Sequence, residues 1–209
     1  MTLIPNNLNF WETDIIKTLD NEIPRSLRST ALHLLDNTSI SKKWFGDQSA
    51  TWITELRIKL ERLATLIARH NIYIFSIISV NDYLENYAIA YKPENGWKDF
   101  TSNEHYDAIM AQTKPVNIRI GIGYQWFHMP IYDSPCFYES KFQTLVHELS
   151  HLLMATKDHR LKFDRCKSFA RTNSTDAKRN ADNWGYFASE CRLQHHTIID
   201  DDGLESTRM

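Results

Sequence analysis

Residues 144–159 read TLVHELSHLLMATKDH. Apolar residues surround His147, Glu148 and His151 in this stretch, and their spacing predicts a buried helix from Phe142 to Met154. Residues four apart lie on one face of an α-helix, so His147 and His151 can present two imidazoles to one metal ion. Burying such a polar triad is unfavourable unless each member has a partner. The stretch therefore predicts a helix that binds zinc, the metal that this HExxH pattern typically holds.

Glu148 follows the first histidine directly, so it points close to the metal without binding it. It can accept a proton from the attacking water, because zinc lowers the pKa of water from about 16 to about 7. The pattern thus predicts a zinc-dependent endopeptidase acting on a protein or peptide substrate. Two other interpretations compete with it. One is a metal-binding or partner-binding module without turnover, and the other is a helix that binds no metal, which the buried triad disfavours.

A catalytic zinc usually takes three protein ligands and keeps one position open. Lys157 stands six residues after His151, where metzincins carry their third histidine, and this excludes that class. Glu190 on a later helix would complete a gluzincin-type site. Asp158, seven residues after His151, could fold back through a short loop, and its neighbour His159 is a further alternative. The residues alone leave these three open.

The rest of the chain predicts an α+β, mainly helical fold with a small antiparallel sheet. Apolar spacing indicates helices over residues 28–38, 49–70 and about 175–193, and strands over 72–80, 87–91 and 116–122. We expect an N-terminal arm or helix over residues 1–30, bracketed by Pro5 and Pro24. One catalytic domain over 31–195 and a flexible acidic tail over 196–209 should follow.

Composition excludes several classes of protein. The net charge of −2 and the absence of a long basic stripe argue against a nucleic-acid partner. The longest apolar-rich stretch, Ile72–Val80, is about half of what a membrane span needs. The start lacks a signal peptide, so we expect a cytoplasmic protein or one exported by a non-classical route. Three cysteines, Cys136, Cys166 and Cys191, argue against a disulfide framework.

Three segments together resemble the deuterolysin and peptidyl-Lys metalloendopeptidase family, the aspzincins. The first is residues 144–159. The second, residues 166–190, reads CKSFARTNSTDAKRNADNWGYFASE, and the third is Lys43-Trp44-Phe45-Gly46. Ile118 to Phe127 is also similar to the strand that leads into the family's zinc helix. The resemblance covers roughly residues 30 to 192 and implies a zincin-like metallopeptidase with an HExxH active-site helix.

The resemblance implies a role for each matching residue. His147 and His151 fall on zinc ligands, Glu148 on the catalytic glutamate and Asp158 on the third ligand. Asp182 falls on an acidic residue that lines the S1′ pocket and favours lysine there.

The sequence departs from the family in three places. The loop before Asp158 is about two residues shorter and lacks the family's glycines. Leu161 stands where a tyrosine would polarise the scissile carbonyl; Tyr124 or Tyr132 could replace it. Gly185 stands where the family has a second pocket glutamate. Because the well-known members are secreted whereas this chain shows no signal peptide, we expect a bacterial effector or toxin, with a cognate inhibitor or immunity protein as a partner.

Overall fold

The structure is a computed structural model that describes residues 3–77, 80–92, 96, 98–111, 118–133, 139–159 and 162–203. Its first helix, α1, runs from Phe10 to His33, and the Asn9 side chain caps it by accepting the Glu12 backbone N–H at 2.9 Å. The predicted N-terminal arm or helix is therefore a long helix, and it absorbs most of the separate helix predicted at 28–38. Pro24 lies inside α1 rather than at its boundary. The division of the chain into domains stays a prediction.

The apolar face of α1 forms one side of the core. Ile16, Leu19, Ile23 and Leu27 are at most 1% exposed. They pack towards α3, which runs from Ala50 to Arg69 and is capped by the Ser49 hydroxyl. The sequence predicted α3 nearly to the residue, because its leucines and isoleucines recur at helical spacing.

The sheet is mixed rather than antiparallel. Its order is β1 (Leu3–Asn6), β2 (Ile72–Ser76), β4 (Ile118–Ile122) and β3 (Ala88–Tyr91). The first three strands pair in parallel, and only β3 runs antiparallel to its neighbour β4. The sequence predicted an antiparallel sheet, but β4 lies between β2 and β3 and pairs in parallel with β2. Which strands become neighbours depends on long-range pairing, which local sequence patterns do not specify.

The remaining helices are short except for two. Their bounds are α2 Ser39–Phe45, α4 Val80–Glu85, α5 Asn103–Met110, α6 Lys141–Met154, α7 Phe163–Thr172, α8 Ser174–Ala177 and α9 Ala181–Gly203, with a 3₁₀ turn at Tyr124–His128. The sequence did not predict α2, α4, α5 and α7, and it merged α8 with α9; the strand predicted over 72–80 ends at Ser76, and Val80 begins α4. Helix α9 also continues well beyond its predicted end at Leu193, into the predicted tail; residues 204–209 lie outside the described part.

Helix α6 is a buried helix, as the sequence predicted. Its residues are all buried except His147. It packs against α9 on one side and against β3 on the other. Such a position holds any side chain on α6 rigidly, because interiors pack at crystal-like density. Among the described residues, none of the helices is long and apolar enough to cross a bilayer.

Candidate metal centre

Two imidazoles of α6 meet at one point, as their spacing predicted. The Nε2 atoms of His147 and His151 lie 3.1 Å apart, with their rings nearly perpendicular. The helix ends just beyond them at Ala155, whose left-handed backbone (φ 55°) donates its N–H to the Ser150 carbonyl. This turn reverses the chain, as helix C-caps in the left-handed region commonly do.

The reversed chain brings Asp158 back to the histidines. Its Oδ1 lies 3.0 Å from His147 Nε2 and 3.0 Å from His151 Nε2. Lys157 fixes the returning loop, because its N–H donates to the Arg179 carbonyl at 2.8 Å and its carbonyl accepts the Ala181 N–H at 3.0 Å. The shorter loop, one of the departures from the family pattern, thus still reaches the histidines.

The three donor atoms fit a zinc ion. His147, His151 and Asp158 form the metal-competent group found among the described residues, with separations of 3.0 to 3.1 Å. A tetrahedral zinc with bonds of about 2.0–2.1 Å holds its ligand atoms about 3.3 Å apart. Two imidazoles and one carboxylate also match the ligand types of catalytic zinc sites.

Each imidazole is held by a partner on its other nitrogen. His151 Nδ1 lies 2.9 Å from the Thr156 carbonyl, and His147 Nδ1 lies 3.2 Å from Asp182 Oδ1. Such contacts fix the tautomer and leave the Nε2 lone pair for a metal. The sequence had suggested only a pocket role for Asp182. Its contact with His147 joins α9 to α6, and no local pattern could have revealed it.

The carboxylates give the site a strong preference for positive charge. Burial opposes the charge on His147, but hydrogen bonds with Asp158 and Asp182 outweigh it and raise the pKa of His147 to about 10. Burial opposes the charge on His151 too, yet its hydrogen bond with Asp158 raises its pKa. For Asp158, the two histidines outweigh burial and hold the pKa well below its usual range. A divalent cation would meet the same demand for positive charge.

Glu148 lies beside the donor atoms and not among them. Its Oε1 is 3.8 Å from His147 Nε2, and its carboxylate accepts the backbone N–H of Ala90 on β3. Burial raises the pKa of Glu148, partly offset by the charges of the two histidines. The edge of the sheet therefore orients a carboxyl group whose proton affinity is enhanced.

The two alternative third ligands are engaged elsewhere. Glu190 binds Lys43 Nζ at 2.6 Å and Trp44 Nε1 at 2.9 Å, at the junction of α2 and α9. His159 packs its ring against Phe169, and its backbone N–H donates to Asn180 Oδ1. The geometry thus favours Asp158 among the three alternatives.

A cleft of about 430 Å³ opens onto the donor atoms. Its wall includes Glu139, Gln143, Asp182, Tyr87 and Tyr186 besides the residues already described. The side chains of Tyr124 and Tyr132 are not part of this wall. Tyr124 contacts the rings of Tyr83 and His128, and Tyr132 packs under the Arg192 guanidinium. Neither tyrosine therefore takes the place of the tyrosine missing at Leu161, which lies outside the described residues.

Comparisons with known proteins agree with this geometry. Residues 35–189 match the aspzincin M35 family model, described as lysine-specific metallo-endopeptidase. A solved structure, a zinc peptidase from Grifola frondosa, superposes with a TM-score of 0.60 over 88% of this chain and 97% of its own, at 16% identity. No similar sequence is found among curated proteins. The family match covers most of the chain, and the structural likeness shows the same fold. The chain belongs to the aspzincin M35 family and is a zinc-dependent metalloendopeptidase, a hydrolase of peptide bonds.

Proposed function

We propose that this endopeptidase holds its zinc through His147, His151 and Asp158, uses Glu148 as the general base, and prefers a lysine directly after the scissile bond. One observation carries the proposal. Three donor atoms of suitable type lie 3.0–3.1 Å apart beside a buried carboxyl group that is not one of them. That arrangement separates metal binding from proton transfer, which hydrolysis by a metalloprotease requires.

Zinc, when bound, supplies a Lewis acid that polarises the scissile carbonyl and lowers the pKa of water. Glu148 takes a proton from the attacking water and gives it to the leaving amine. Its burial and the resulting rise in pKa suit both roles, because a general acid–base works best when its pKa approaches the working pH. The Ala90 N–H keeps the carboxyl group pointing at the cleft.

The preference for lysine rests on the charge of the cleft. Asp182 and Glu139 line it together with the catalytic residues, and Lys162 is the cation on the same wall. A basic side chain would be attracted into such a pocket, whereas an acidic one would be repelled. The description of the family as lysine-specific supports the same preference.

Cleavage of a denatured protein by the zinc-loaded chain tests the proposal. Glu148→Gln should abolish cleavage while zinc stays bound, because Glu148 does not contribute a donor atom. Glu55→Gln is a matched control, since that glutamate is 55% exposed on α3 and should leave the rate unchanged. A Glu148→Gln protein that cleaves at the wild-type rate would remove Glu148 from the mechanism. A wild-type protein that binds zinc but cleaves no substrate would favour the non-catalytic module instead.

A further inference from the structure

Helix α9, which contributes Asp182 and Tyr186 to the cleft, differs from the family pattern at Gly185, and the structure shows how closely α6 approaches it there. A Cβ atom at this position would lie 2.6 Å from the Gln143 side-chain nitrogen and 3.0 Å from the Gln143 backbone oxygen. The Gln143 amide lies at the end of a flexible side chain and can move away, but the backbone oxygen of α6 would have to shift by a few tenths of an ångström. Helices α6 and α9 therefore approach each other so closely that a glutamate at position 185 would strain their packing. The uncharged amide of Gln143 lies against that glycine.

Asp182, the acidic residue of α9 that lines the cleft, is already bound on one of its oxygens. Asp182 uses Oδ1 to hold His147 Nδ1, so this oxygen serves the metal site rather than a substrate. Glu148 and Asp158 are committed to proton transfer and to metal binding in the proposed function. A cationic side chain entering the cleft thus needs a further carboxylate.

Glu85 and Glu139 both line the cleft, but Glu85 is exposed at the end of α4 whereas Glu139 is half-buried, so Glu139 is better placed to bind a cation away from water. It lies just before Ser140, the N-cap of α6, and lines the cleft beside Gln143, Tyr87 and Tyr186. It also lines an adjoining groove of about 490 Å³, which shares Tyr87, Lys162 and Tyr186 with the cleft. Glu139 therefore stands at the boundary of the two cavities, where a long side chain extending from the cleavage site would reach it.

Glu139 keeps its negative charge although it accepts a hydrogen bond from a neighbouring tyrosine. The Tyr87 hydroxyl donates to its carboxylate, and this donor is neutral. The negative charge of Glu139 also acts on Tyr186, where it contributes with burial to raising the pKa of the hydroxyl. A hydrogen bond from a tyrosine orients the carboxylate without neutralising it, which suits a site for a cation.

We propose that Glu139 is the specificity-determining carboxylate of this cleft and that it binds the cationic side chain of the residue following the scissile bond. The proposal rests on the proposed function, because it takes the cleft beside His147 as the primed side of a peptidase. It assigns the recognition of charge to the segment before α6, whereas the family pattern would assign it to α9.

The test compares peptides that differ only at the residue after the scissile bond, with lysine, norleucine or glutamate. In Glu139→Gln, the ratio of kcat/KM for lysine over norleucine should fall at least about 10-fold, equivalent to about 1.4 kcal/mol. In Glu139→Lys, the order should shift towards the glutamate peptide. The remote Glu55→Gln serves as the control. A ratio in Glu139→Gln that equals the wild-type ratio, in a protein with unchanged thermal stability, would overturn the proposal.

A binding measurement separates this proposal from the proposed function. Fluorescence anisotropy gives the affinity of each labelled peptide for zinc-loaded Glu148→Gln and for Glu148→Gln/Glu139→Gln. Loss of the lysine-over-norleucine preference only in the double variant supports the role of Glu139 even if no protein cleaves. An equal preference in both variants would refute that role, whereas absent cleavage by the wild type would refute the proposed function.

Discussion

Helix α1 is joined to the site helix by a buried ion pair, and removing one member of that pair should strongly destabilise the protein. Glu12 Oε1 lies 2.8 Å from Lys141 Nζ, and Glu12 Oε2 accepts the Trp126 indole N–H at 2.8 Å. The side chains of Glu12 and Lys141 are only 8% and 4% exposed. Glu12 lies upstream of residues 35–189, which match the family model. The pair thus makes α1 part of the structure that supports α6.

Glu12→Ala would leave the Lys141 ammonium and the Trp126 N–H buried without their partner. Removing one member of a buried ion pair destabilises a protein by about 3–5 kcal/mol. That is a large part of the total stability of about 5–15 kcal/mol. For a chain of this size, each kcal/mol lowers Tm by about 2–4 °C, so we expect a decrease of about 6–20 °C.

Urea denaturation and thermal melting of the metal-free and zinc-loaded proteins measure this effect. Asp14→Ala on the same helix is the control, because its pair with Lys17 is 3.4 Å long and 49% exposed on both sides. Such a pair should contribute less than about 1 kcal/mol. The double variant Glu12→Gln/Lys141→Met, which keeps an acceptor for Trp126 and removes the buried charge, should recover much of the loss. A Glu12→Ala protein within 1 kcal/mol of wild type would show that losing Glu12 does not leave Lys141 buried without a partner.

Two further predictions concern zinc affinity. Asp182→Ala should weaken zinc binding about 10–100-fold because His147 loses the partner that orients its ring, and Asp182→Asn should lie between it and the wild type. Competition with a fluorescent chelator measures the zinc affinity. Asp164→Asn is the control, because that carboxylate is 90% exposed. Unchanged affinity in Asp182→Ala would contradict the prediction. Zinc binding should also release protons, because the metal-free site raises the pKa of His147 to about 10 whereas a ligating histidine is neutral. The affinity for zinc should therefore fall as the pH falls. Calorimetry of zinc binding at pH 7, in buffers of different ionisation enthalpy, should detect the released protons. Equal heats of binding in all buffers would contradict this prediction.

Local patterns predicted the elements that build the site. Helix α6 and helix α3 follow from apolar spacing, and the i,i+4 histidines follow from helix geometry. Pro24 misled the interpretation of the N-terminal segment, because proline usually ends a helix. Here the apolar face that includes Ile16 and Leu27 is buried deeply enough to outweigh that preference.

Long-range contacts account for what the sequence could not reveal. Asp158 reaches the histidines because Lys157 is hydrogen-bonded to Arg179, just before α9, and to Ala181, the first residue of α9. Asp182 contacts His147 because α6 and α9 pack against each other. From the sequence, Gly185 indicated only the loss of a pocket carboxylate. The structure shows in addition that α6 approaches so closely at Gln143 that a side chain at position 185 would strain the packing. Such features are set by tertiary packing, which periodicity does not encode.

Anomalous X-ray scattering at the zinc absorption edge, from crystals of the zinc-loaded protein, locates the metal and its ligands in one experiment. We expect one peak per chain, about 2.0–2.2 Å from His147 Nε2, His151 Nε2 and an oxygen of Asp158, with Glu148 outside bonding distance. A peak coordinated by Glu190, or the absence of any peak at these histidines, would contradict it.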